Sequence, residues 1–125
     1  MVELYRSGGD MDNTSLGRCE LPDPVPAGKR LVIETVTGVY YQDGGLLGPA
    51  YMTIKGLRYG FPWVDCGRLT GKGEDRRFFG FNHYVRLYVD GPETLQFDAY
   101  GGASFGSGSD PSGSYTVTGY LEDLP

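Results

Sequence analysis

The chain has 125 residues, a formal net charge of −5, 21 Gly and 8 Pro, and aromatic residues make up 14% of it. That length suits one domain, residues 1–125, and so much Gly and Pro argues against a helical bundle. No apolar run has the length of a membrane-spanning helix, and the acidic balance argues against general nucleic-acid binding, although Arg76-Arg77 and Arg86 offer a local basic patch.

Val2 to Arg6 is a short alternating stretch, followed by a polar, turn-rich segment from Ser7 to Ser15. Pro22, Pro24 and Pro26 then push Leu21 to Ala27 into an extended path that is not a central strand. Lys29 to Tyr41 is the strongest strand in the N-terminal half, and its apolar residues on both parities predict cover on both faces. Asp43-Gly44-Gly45 reads as a turn. Strands are expected over Tyr51–Tyr59 and Phe61–Cys66 with a break at Gly60, and Gly67 to Asp75 reads as a polar loop.

Arg76 to Asp90 carries the clearest period of two. Phe79, Phe81, Val85, Leu87 and Val89 share one parity with His83, while Phe78, Tyr84, Arg86 and Tyr88 share the other. Thr94–Tyr100 alternates again, the Gly/Ser tract from Gly101 to Gly113 reads as a loop, and Tyr115–Leu121 forms the last strand. Seven to eight strands at this spacing predict an all-β antiparallel sandwich of jelly-roll or Greek-key type. Its core is expected to hold Phe79, Phe81, Val85, Leu87, Leu95, Phe97, Val117 and Leu121.

Three pieces of the chain resemble a loose group of small bacterial all-β proteins. They are the strand-opening segment Val25-Pro26-Ala27-Gly28-Lys29-Arg30-Leu31-Val32-Ile33-Glu34, the strand end Leu87-Tyr88-Val89-Asp90-Gly91-Pro92, and Gly119-Tyr120-Leu121 near the C-terminus. The resemblance implies a similar fold more than a shared activity, and it carries over no functional residues. Members of the group are often exported, which implies an extracellular, cell-envelope or virion-surface location. No charged-then-apolar leader appears at Met1, and the Gly/Ser tract is longer here.

Motifs for chemistry are sparse. A Cys66–His83 pair with Asp65 or Asp90 would supply a nucleophile and base, but His83 falls on the core parity and reads as a packing residue. No Gly-x-Ser-x-Gly elbow is present. Two cysteines and one histidine, far apart in sequence, do not make a zinc site. Asp10-Met11-Asp12-Asn13-Thr14 begins like a calcium loop but has Ser15 where the turn Gly belongs and Leu21 where the bidentate Glu belongs. Gly71-Lys72-Gly73 starts a phosphate-type motif that Arg76 interrupts. Asn13-Thr14-Ser15 is a formal glycosylation sequon, and Cys19 and Cys66 allow one disulfide if the protein is exported. No cofactor, metal or catalytic residue is assigned.

The aromatic residues are more informative. Phe78, Tyr84, Arg86 and Tyr88 occupy a parity where a solvated face would show Thr, Lys, Glu or Ser, and they mark a candidate subunit interface. Trp63, with Tyr59, is a candidate for stacking on a ligand or for plugging one end of the sandwich. The reading is a non-catalytic binding or assembly module of bacterial or phage type, joining copies of itself into a homo-oligomer. The alternative is a carbohydrate-binding module that meets a glycan through Trp63 and exposed Tyr, and a small hydrolase is the third class.

Overall fold

A nested order of antiparallel pairing sets the architecture. The computed structural model describes residues 2–11, 18–42, 47–71, 74–101 and 112–125. Among them lie nine strands and no helix: β1 (Glu3–Asp10), β2 (Cys19–Glu20), β3 (Lys29–Gln42), β4 (Leu47–Ile54), β5 (Leu57–Phe61), β6 (Val64–Gly71), β7 (Glu74–Asp90), β8 (Gln96–Gly101) and β9 (Ser112–Asp123). They form a five-stranded sheet in the order β1-β9-β3-β7-β6 and a four-stranded sheet in the order β2-β8-β4-β5. With β6 set aside, β1 pairs with β9, β2 with β8, β3 with β7 and β4 with β5. This is the pairing of one long hairpin, rolled so that successive rungs alternate between two sheets, and it is a jelly roll. The added strand, β6, is a hairpin partner of β7 on the sheet edge, which raises the count above the seven or eight expected.

The long hairpin turns at Lys55-Gly56, where φ is 51° and 80°. Two positive-φ residues suit the right-handed twist of the flanking strands. Ile54 therefore pairs with Leu57, and the single strand expected over Tyr51–Tyr59 is two strands. Glu93 holds this tip: its Oε2 accepts the Lys55 N–H at 3.0 Å, while Lys55 Nζ donates to the Pro92 carbonyl at 3.3 Å. The expected strand Phe61–Cys66 is also divided, because β5 ends at Phe61 and Pro62-Trp63 crosses between the sheets before β6. Much of Gly67–Asp75 is strand rather than loop, and β1 runs on to Asp10.

In β3 the mixed parity has a local cause. Its register with both neighbours shifts between Ile33 and Thr35, so Leu31 and Ile33 point inward before the bulge, and Val36 and Tyr40 after it. The two-sided cover expected for this strand is thus mainly a change of face at Glu34. Asp43-Gly44-Gly45, the Asn13 sequon, the calcium-like loop beyond Met11 and residues 102–111 lie outside the described residues.

Between the sheets, Phe81, Leu95, Phe97, Val117 and Leu121 are buried as expected, and Phe79, Val85 and Leu87 are partly buried against them. Aromatic rings form one contiguous cluster there. Phe97 stacks on Tyr115 with centroids 4.4 Å apart, Phe61 stacks on Phe81 at 5.3 Å, and Trp63 meets Phe81 edge-on at 4.8 Å. Burial pushes the Tyr40 hydroxyl well above the ordinary tyrosine range. Gly38 makes this packing possible, since a Cβ there would stand 2.5 Å from Phe81 Cε1.

The disulfide allowed by the two cysteines is not formed: Cys19 and Cys66 are not bridged to each other. Cys19 is buried beneath β1, its Sγ 2.9 Å from where a Cβ on Gly9 would be, whereas Cys66 is exposed on β6. β1 and β6 are opposite edges of the five-stranded sheet, four strand spacings or ~19 Å apart, while a disulfide needs Cα atoms within ~7 Å.

Candidate assembly surface

The outer face of the five-stranded sheet is built row by row from the strand register. One row runs Leu4, Tyr120, Val32, Tyr88 across β1, β9, β3 and β7. Val32 points away from the core yet is buried, flanked in register by the two tyrosines. The rims of the row are open: Leu4 is 95% exposed and Tyr88 55%. A second row runs Arg6, Thr118, Thr35, Tyr84, and the Thr35 and Thr118 hydroxyls are hydrogen bonded to each other. Tyr84 closes that row at 86% exposure. Arg86 is exposed between Tyr84 and Tyr88, beside the stretch where the β3 register shifts.

Polar groups border these rows. Toward the strand ends Arg30 lies between Glu122 and Asp90 in register, and its Nε and Nη2 donate to the two Asp90 carboxylate oxygens at 2.7 and 3.3 Å. The same guanidinium sits 5.9 Å from the centroid of the Tyr88 ring, which holds both side chains in place. Hydrogen bonding from Arg30 lowers the Asp90 pKa and raises that of Arg30. On the far side Thr37 Oγ1 donates to Asn82 Oδ1 at 3.1 Å, and beyond it Val39, Gly80 and Val64 make another apolar stretch. Val39, Val64, Leu4, Tyr84 and Tyr88 are all exposed, and all lie on this face. Leu57, on β5, is the exposed large apolar residue of the other sheet among the described residues.

The sequence candidates therefore separate into two places. Tyr84, Arg86 and Tyr88 are together on the outer face. Phe78 shares their parity but is half-buried and six positions from Tyr84, a run of ~20 Å. Trp63 and Tyr59 belong to the interior side, each half-buried against the core. Trp63 is held among Tyr40, Phe81 and Tyr115, and its Nε1 is buried with no hydrogen-bond partner among the described residues. Leu4, Val32 and Tyr120 were not singled out by sequence, because pairing rather than local pattern puts them beside Tyr88.

The Cys66–His83 pair is divided by the sheet. His83 packs against both Phe61 and Phe81 on the core side, whereas Cys66 Sγ lies on the outer side, 3.7 Å from where a Cβ on Gly80 would stand. Among the described residues no group of three or more His, Cys, Asp or Glu side chains is placed to hold a metal ion. Neither a protein-family model nor a curated protein sequence matches the chain.

Proposed function

We propose that this protein is a non-catalytic assembly module whose copies associate through the outer face of the five-stranded sheet. The observation that carries the reading is the row Leu4–Tyr120–Val32–Tyr88 with Tyr84 beside it. It is a band of interface-type side chains four strands wide, open at both rims and bordered by the Arg30–Asp90 pair. A second copy related by a two-fold axis would cover the band with the same band, leaving the charged border at the wet rim. A Tyr84→Ala, Tyr88→Ala variant should dissociate at micromolar concentration and keep its β signature in circular dichroism. A variant that keeps the molar mass of the unaltered protein would contradict the reading.

A second reading, glycan binding, draws on the exposure of the Tyr84 ring, whose free face suits stacking on a sugar. A glycan array separates the two, since the assembly reading expects no retained sugar.

A further inference from the structure

We infer that β1 is a second self-recognition element, pairing antiparallel with β1 of another copy about a two-fold axis normal to the sheet. The inference rests on the assembly reading above but uses a different surface, the strand edge rather than the sheet face.

The four sheet edges differ in how they discourage further pairing. β2 has two residues and β5 has five. β6 is longer, but its register shifts between Asp65 and Gly67, where φ of Gly67 is 110° and its N–H is taken by Asp65 Oδ1 at 2.9 Å. Shortness and bulges are standard ways of blunting an edge. β1 has neither: its eight residues keep one unbroken register with β9 from Glu3 to Asp10, with no Pro and no Lys. Among the described residues one side of this strand is paired, with β9, and no strand pairs with the other, which presents regularly spaced backbone groups that a strand satisfies best.

Leu4 indicates which strand. It ends the apolar row at the free edge and is almost wholly exposed. In the register that sets Leu4 opposite the Leu4 of a second copy, the two rows join into one, Tyr88–Val32–Tyr120–Leu4 followed by the same residues in reverse. Arg6 then lies opposite the aliphatic Val2 of the other copy, and no like charges face each other. A register centred on Arg6 would oppose two guanidinium groups, which is destabilising. An axis normal to the sheet keeps both outer faces on one side. The edge-paired dimer therefore presents a ten-stranded platform, and two platforms stacked face to face would make a tetramer.

The test is cross-linking in a Cys66→Ser background, which removes the exposed native thiol and leaves Cys19 buried. Leu4→Cys in that background should form a covalent dimer under mild oxidation roughly ten-fold faster than Arg6→Cys, since directly opposed Cβ atoms fall near disulfide range. Equal rates, or no dimer from Leu4→Cys, would overturn the edge pairing. Adding Tyr84→Ala and Tyr88→Ala to the Leu4→Cys protein distinguishes this failure from failure of the face contact. If the edge pairs, the cross-link persists in that variant while any tetramer falls to a dimer. Loss of the cross-link there would also overturn β1 as an independent contact.

Discussion

At the scale of single residues, the interior is decided by what fits between Gly38 and the Phe61–Phe81 stack. Phe81 is buried between the sheets and touches rings on three sides, so Phe81→Ala should cost ~3–5 kcal/mol of unfolding free energy in urea titration. Gly38→Ala tests the same site from the other direction. Its new Cβ would stand within 3.1 Å of Trp63 Cη2 and closer still to the Phe81 ring, so a loss of about 1–3 kcal/mol from overpacking is expected. A Gly38→Ala protein as stable as the unaltered one would show that these rings are less tightly set. The parity of Phe79, Phe81, Val85 and Leu87 was readable in the sequence because more and less buried residues alternate without a break along β7 from Phe81 to Asp90. The dependence on Gly38 was not, because it joins residues of β3, β7 and the Pro62-Trp63 crossing.

At the scale of elements, the regular strands were legible and the irregular joints were not. β7, β8 and β9 keep a constant period of two, so their inward residues follow from alternation alone. Against β9, Glu34 is one extra residue, and it switches the inward face of β3; a parity count without knowledge of the neighbours reads that switch as burial on both faces. The Lys55-Gly56 turn is not legible in the sequence for a chemical reason: Lys is not among the residues that announce a positive-φ hairpin, as Asn, Asp or Gly would. Glu93 compensates by accepting from the Lys55 and Thr94 backbone N–H groups. Glu93→Ala should therefore destabilise the protein by about 0.5–1.5 kcal/mol and raise the hydrogen-exchange rate of the Lys55 amide.

The start of β3 is clasped on both sides, by Arg30–Asp90 and by Lys29–Asp123 at 2.5 Å. Both carboxyl groups have pKa values lowered chiefly by hydrogen bonds from their cations. Since the folded value lies below the unfolded value of about 3.9, the unfolded chain binds these protons more readily. The stabilisation is fully present above about pH 4 and is lost as pH falls through the lower folded values. Asp90→Asn should flatten the acid limb of the urea midpoint between neutral and low pH, and an unchanged limb would contradict this assignment.

At the scale of the whole molecule, nested pairing turns local alternation into a surface. The period of two in β7 places Tyr84, Arg86 and Tyr88 on an outer face, and that much follows from the sequence alone. Their neighbours Val32, Tyr120 and Leu4 come from strands distant in sequence, and only the jelly-roll register brings them into one row. Trp63 shows the converse, since its neighbours in sequence suited either a ligand platform or a packed end, while the structure sets its ring among Tyr40, Phe81 and Tyr115. What the outer face does rests on one physical expectation, that a band of exposed Tyr and Leu on a jelly-roll sheet is covered by another copy. The most direct measurement is the molar mass of the unaltered protein by light scattering on a sizing column at micromolar concentration. The account predicts a whole multiple of the 13.7 kDa chain that falls in the Tyr84→Ala, Tyr88→Ala variant, and a single mass of 13.7 kDa for the unaltered protein would contradict it.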